Sequence, residues 1–151
     1  MYTQQDINNA YKTLYPDRNL KDLQLQIIYN LLNGRVFVAH NVSFDYSFIH
    51  YLLNKSGYQW SAPKLCTIRL SRKVFPGLKR YGLGALSQDL GIKIQGRHRA
   101  WGDAAATAQV LTMAIKKEGM QPIHYLLSKK EPRKNKVLPP KVLPPNEKSD
   151  V

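Results

Sequence analysis

Two aspartates of this chain stand where a carboxylate is costly. Asp45 closes the run Val38-Ala39-His40-Asn41-Val42-Ser43-Phe44-Asp45, and Asp103 closes His98-Arg99-Ala100-Trp101-Gly102-Asp103. Each opens a helical segment with an apolar inner stripe: Ile49 and Leu52 follow Asp45, and Thr107 and Val110 follow Asp103. A carboxylate among apolar side chains needs a partner to offset its desolvation. Two such acids, with His98 five residues before one of them, fit a shared metal ion and a base that activates water. Mg2+ and Mn2+ take oxygen ligands, chiefly carboxylates. Two such ions about 4 Å apart activate water, clamp a phosphate and relieve the leaving oxygen of a phosphodiester. An imidazole titrates near neutral pH, which suits a general base. The structural alternative is that an acid in a first helical turn simply stabilises the helix dipole.

These motifs resemble the DEDDh family of 3′-to-5′ exonucleases, in the branch of the epsilon proofreading subunit of bacterial DNA polymerase III. VAHNVSFD is similar to the family's second motif and HRAWGDAAATA to its third. Between them, LCTIRLSR at 65–72, FPGL at 75–78 and YGLG at 81–84 also look like this branch. The resemblance runs from Leu23 to Lys117. It implies an α/β, RNase H-like fold and a metal-dependent exonuclease acting on single-stranded 3′ ends of DNA, in proofreading or repair. It casts Asp103 and Asp45 as metal ligands of a two-ion Mg2+ or Mn2+ site, and His98 as the group that takes the proton of the attacking water. A polymerase is an implied partner.

The departure is at the front. The family opens with a strand carrying Asp-x-Glu well before the second motif. This chain has no Asp-x-Glu, and only 44 residues precede Asp45. The expectation is an exonuclease fold missing its first three strands, with an open edge on the strand at Val36 to Ala39. Two carboxylates carry half the expected charge, so metal binding should be weak and catalysis at most a trace. The rival readings are a non-catalytic nucleic-acid-binding remnant and an interaction module of a larger nuclease.

The formal net charge is +13. Residues 1–120 carry 16 Lys/Arg against 7 Asp/Glu, and residues 121–151 carry 7 against 3. Such a balance favours phosphate backbones through counterion release. Candidate nucleic-acid contacts are His40, Asn41, Phe44, Arg69, Arg72, Lys73 and Arg99. Phe44, Tyr46 and Trp101 are the rings that could stack on bases, although Phe44 also reads as core. His40, at a strand end, reads as structural or as positioning substrate. Arg69, Arg72, Lys73, Lys79 and Arg80 form a band that fits a phosphate track and a solvated helix face equally well.

The elements follow from periodicity and stop signals. Asp22 to Leu32 has Leu23, Ile27 and Leu31 at helical spacing, ended by Asn33-Gly34. Val36 to Ala39 reads as a buried parallel strand. Ser43 is a candidate cap for a helix from Phe44 to Leu53 with Phe48 and Leu52 inward. Lys64 to Thr67 reads as a strand. Helices are expected at Arg69 to Val74, Leu83 to Leu90, Ala100 to Lys117 and Pro122 to Leu127. The 1–128 stretch is expected to be the partial exonuclease domain. Residues 129–151 are basic and repeat Lys-Val-Leu-Pro-Pro twice, which favours an extended linker or tail. Its end weakly resembles linkers that lead to a fused endonuclease-like domain. No run of 18 apolar residues suggests a membrane span, the polar start is not a signal peptide, and the lone Cys66 fits a reducing, cytoplasmic setting.

Overall fold

The computed structural model describes residues 20–129, together with positions 3, 5, 6, 9 and 13. The tail expected at 129–151 lies outside the described residues apart from Lys129. Helix α1 (Leu20–Leu32) leads into strand β1 (Phe37–Ala39). Helix α2 (Val42–Lys55) then crosses back to strand β2 (Lys64–Cys66). The two strands are parallel, with Phe37 opposite Lys64, Val38 opposite Leu65 and Ala39 opposite Cys66. Parallel neighbours need a crossover of a dozen or more residues, which α2 and its flanking turns provide. Among the described residues no further strand pairs with β1.

Helix α3 (Thr67–Val74) continues directly from β2, followed by α4 (Leu83–Asp89), α5 (Ala100–Glu118) and α6 (Gln121–Ser128). Three apolar clusters fix their packing. Leu65, Leu70, Val74, Ala114, Ile123 and Leu126 join β2 to α3, α5 and α6. Leu83, Leu86, Ile92, Ala106 and Val110 seat α4 on α5. Leu25, Leu53 and Trp60 tie α1 to α2. Lys117 adds a polar tie, its Nζ donating to the Val74 carbonyl at 2.9 Å, where the end of α3 leaves acceptors unsatisfied. No described helix is long and apolar enough to cross a membrane.

Several local expectations change. Ser43 is not the cap of α2: Asn41 holds that position in the left-handed conformation at φ 67°, without a side-chain cap bond. Asparagine tolerates that region better than most residues, and the chain must reverse here between β1 and α2. Phe44 and Phe48 face outward, at 61% and 40% exposure. The inner side of α2 is carried instead by Val42 and Leu53, with Tyr46, Ile49 and Leu52 packed nearby. On α1, Leu25 is buried while Ile27 and Leu31 are exposed, so the packed face is rotated from the stripe that spacing alone suggests.

The start of α5 is set by close backbone approach. Gly102 packs on the carbonyls of Gln95 and Gly96, where any Cβ would collide with backbone. Gly96, at φ 66°, lies beneath the Trp101 ring. This contact fixes where α5 begins, and therefore where Asp103 points. Gly102→Ala should destabilise the protein by about 1–3 kcal/mol, as overpacking does, measured by urea denaturation. Gly82→Ala, in open space, should leave the transition within about 0.5 kcal/mol.

Candidate active site

Asp45 and Asp103 are each the fourth residue of their helix. Both line one cavity of about 770 Å³, walled by Ile28, Leu31, Phe37, Ile49 and Leu111 and touched by His40, Leu83, Arg97 and Thr107. The fold thus brings together two acids that are far apart in sequence. Part of the Asp45 carboxyl is desolvated against this wall, which pushes its pKa above the ordinary carboxylate value; its own helical N–H opposes the shift. Asp103 is anchored differently. Arg97 Nη1 donates to its carboxylate at 2.8 Å. Thr107 Oγ1 donates to its backbone carbonyl at 2.8 Å.

A histidine stands five residues before each aspartate, in opposite settings. His40 is held from both sides. Its Nε2 lies 2.7 Å from the Tyr81 carbonyl, which can only accept, so Nε2 carries the proton. Its Nδ1, 2.8 Å from Thr67 Oγ1, then accepts from that hydroxyl. Burial pushes the His40 pKa down; the Tyr81 carbonyl opposes this and the Arg97 charge adds to it. The imidazole is neutral and fully engaged. His98 is exposed, at φ 65°, in the turn that enters α5, and is not in the cavity wall. Histidine is among the residues that tolerate this conformation.

The remaining candidates scatter. Asn41 is exposed at the start of α2, and Arg99 is exposed at the cap of α5. Phe44 is on the surface, so its ring is available to a ligand rather than committed to the core. Arg69 is half-buried. Arg72 lies over the Tyr81 ring, 5.6 Å from its centroid. Lys73 points elsewhere, 4.3 Å from the centroid of Tyr125. The sequence reading missed Arg97 as the partner of Asp103, and Thr67 and Tyr81 as the partners of His40. Arg97 lies within reach of the third motif, but nothing in its spacing marks it as an ion-pair partner across a turn.

The donor set does not by itself fit a two-ion centre. Among the described residues, no three His, Cys, Asp or Glu side chains cluster as a metal site. Two divalent ions bring four positive charges, against two carboxylates, one already neutralised by Arg97. What the site provides is a partly apolar cavity, two acids at its wall and one cation paired with Asp103.

Acids lining one cavity beside a parallel sheet suit phosphodiester chemistry, which uses carboxylate-held metal ions. The exonuclease family's sequence model matches residues 9–111, and the chain belongs to that family. It carries the RNase H-like exonuclease domain, helix-rich and with a two-stranded parallel sheet among the described residues. It is 41% identical over 91 residues to a 3′-5′ exonuclease DinG of Bacillus subtilis, covering 60% of this chain and 10% of that protein. It is 40% identical over 80 residues to the DNA polymerase III subunit epsilon of Aquifex aeolicus, covering 52% of this chain and 40% of that one. Against a PolC-type DNA polymerase III of Clostridium perfringens, identity is 40% over 86 residues, 57% of this chain and 6% of the polymerase. The matches thus span between 6% and 40% of the length of these relatives.

The His40 geometry sets a pH dependence. Its folded pKa lies below the unfolded value of 6.5. The stability it contributes is complete above that value. It is lost as pH falls below it, because the unfolded chain takes up a proton that the fold refuses. Unfolding free energy should therefore decline as pH drops from about 7.5 through about 6.5. His40→Gln should lower stability at neutral pH and flatten that decline. A variant profile as steep as the parent's would assign the effect to another group.

Proposed function

We propose that this chain is the second- and third-motif part of a metal-dependent 3′-to-5′ exonuclease acting on single-stranded ends of DNA. One observation carries the reading: in a chain of the exonuclease family, Asp45 and Asp103 line a single cavity. In this reading both acids are oxygen ligands for Mg2+ or Mn2+, and a complete centre needs two more carboxylates from a further segment. The sheet of a complete domain would continue past β1. The apolar wall at Ile28, Leu31 and Phe37 is the surface that such a strand would cover.

His98 is assigned as the proton acceptor. It is exposed in the turn beside Arg97, five residues before Asp103, so that turn must swing it toward the cavity to meet a substrate water. Neutral His40 is assigned to positioning, because both of its ring nitrogens are already used. Asn41, Phe44 and Arg99 flank the helix starts on the exposed side and are assigned to strand contact. Residues 1–128 form the exonuclease portion in this reading, 129–151 form a linker or tail, and a polymerase or a fused endonuclease-like domain is the partner. A second reading, nucleic-acid binding without hydrolysis, is favoured by the Arg97–Asp103 pair, which occupies the acid that metal would need.

A labelled single-stranded oligonucleotide with Mg2+ or Mn2+ separates the two. The chain alone should shorten it at most in traces. Fused behind a strand carrying Asp-x-Glu, it should release mononucleotides stepwise from the 3′ end. In that fusion, Asp103→Asn and His98→Ala should each lower kcat, the histidine loss by about 10²–10⁴-fold. Full activity in Asp103→Asn would refute the assignment of the site. Persistent inactivity of a folded fusion that still binds DNA would favour the second reading.

A further inference from the structure

On the other side of Arg97 a second hollow opens, of about 510 Å³. Its wall carries Arg72, Lys79, Arg80 and Arg97 and no carboxylate. Leu83 and Arg97 also line the aspartate cavity, so the two hollows meet at that guanidinium. Arg97 is held against Gly84, where an added Cβ would lie 3.2 Å from the guanidinium. Arg72 is braced by the Tyr81 ring. Lys79 and Arg80 are exposed and have no ion-pair partner among the described residues; the carboxylate of Asp89 borders only the adjoining hollow that they share with Gln88.

Four cations converging on one hollow repel one another, and Asp103 offsets the charge of only one. Such an arrangement is relieved when an anion enters. Three of the four are arginines, whose forked donors match phosphate oxygens bidentately. At about 510 Å³ the hollow is too large for a single small ion to fill.

We propose that this hollow is a phosphodiester-binding subsite. It seats the backbone of a nucleic-acid strand whose end passes Arg97 into the Asp45–Asp103 cavity. The direction of the strand rests on the nuclease reading given above; the binding itself does not. Arg97 is the joint, because its guanidinium can serve either Asp103 or an incoming phosphate.

The test is fluorescence anisotropy of a 5′-fluorescein oligothymidylate with the full chain, in EDTA, across about 50–200 mM salt. Lys79→Gln/Arg80→Gln removes two cations from the hollow. Lys93→Gln/Lys116→Gln removes two exposed cations that line neither hollow, and so controls for net charge. The first pair should weaken binding about tenfold or more and reduce the slope of log K against log salt by about 1.4, at about 0.7 per phosphate on a single strand. The control pair should change affinity less than about threefold and leave the slope intact. Both pairs are surface changes, and unchanged melting temperatures would confirm that the fold survives.

Equal losses from the two pairs would overturn the subsite in favour of a diffuse positive field. Competition by polyglutamate as effective as by unlabelled oligothymidylate would assign the hollow to acidic protein segments and also overturn it. No cleavage is read, so a chain that never hydrolyses DNA still passes. Conversely, a cleaving fusion whose two charge pairs behave alike would keep the nuclease reading and lose the subsite.

Discussion

A neutral imidazole at the end of β1 holds this site together. His40 donates to the Tyr81 carbonyl and accepts from Thr67, so one ring joins β1 to the start of α3 and to the segment entering α4. The sheet beneath has only three residues per strand, and so small a ladder is marginal without packing and cross-ties. Asn41 turns the chain immediately afterward, placing Asp45 one turn into α2. Tyr81 is followed by Gly82, which lines the basic hollow, and by Leu83, which lines both hollows. Burial of the ring disfavours its charged form and the nearby Arg97 charge adds to that, which is why the fold favours neutral His40.

The two histidine–aspartate pairs show how the same sequence spacing yields different chemistry. After His40 the chain leaves a strand, so the histidine is locked within the fold and its aspartate faces an apolar wall. After His98 the chain leaves a turn built on Gly96, so the histidine stays outside while the aspartate is reached by Arg97. Spacing sets each aspartate at the same position in its helix. What precedes the histidine decides whether its ring nitrogens are consumed or left available.

Much of this was legible in the sequence. The helices ending near Gly34, Gly57, Gly91 and Gly119 were marked by those glycines. The runs at Val36 and Lys64 became strands within one residue of expectation, but β1 is half-buried rather than buried and Val36 is exposed. The exonuclease family was legible in ordered motifs. The choice of buried face was not. Helical spacing pairs Phe44 with Phe48 as readily as Tyr46 with Leu53, and only the Trp60 cluster decides between them. Ser43 has the chemistry of a cap, but the reversal after His40 needs a left-handed residue two positions earlier, and Asn41 takes it. Arg97 and Asp103 meet because Gly96 and Gly102 let the turn fold closely onto the helix. A contact made through backbone proximity leaves little trace in side-chain periodicity.

The Arg97–Asp103 pair gives the electrostatics of the site an economy that the charge count alone hides. Both side chains remain about a third exposed, at 39% and 32%, so water screens the pair and its strength is modest. A weak pair suits a residue with two alternatives. While Arg97 serves Asp103, the acid is neutralised and the basic hollow keeps three cations. When Arg97 turns to a phosphate, Asp103 regains its full negative charge beside Asp45 across a partly apolar cavity. Two carboxylates left without a cation at one cavity wall favour a cation arriving at the aspartates. In the proposed reading, strand binding on one side of Arg97 and cation uptake on the other are linked through one guanidinium. By reciprocity, each should favour the other.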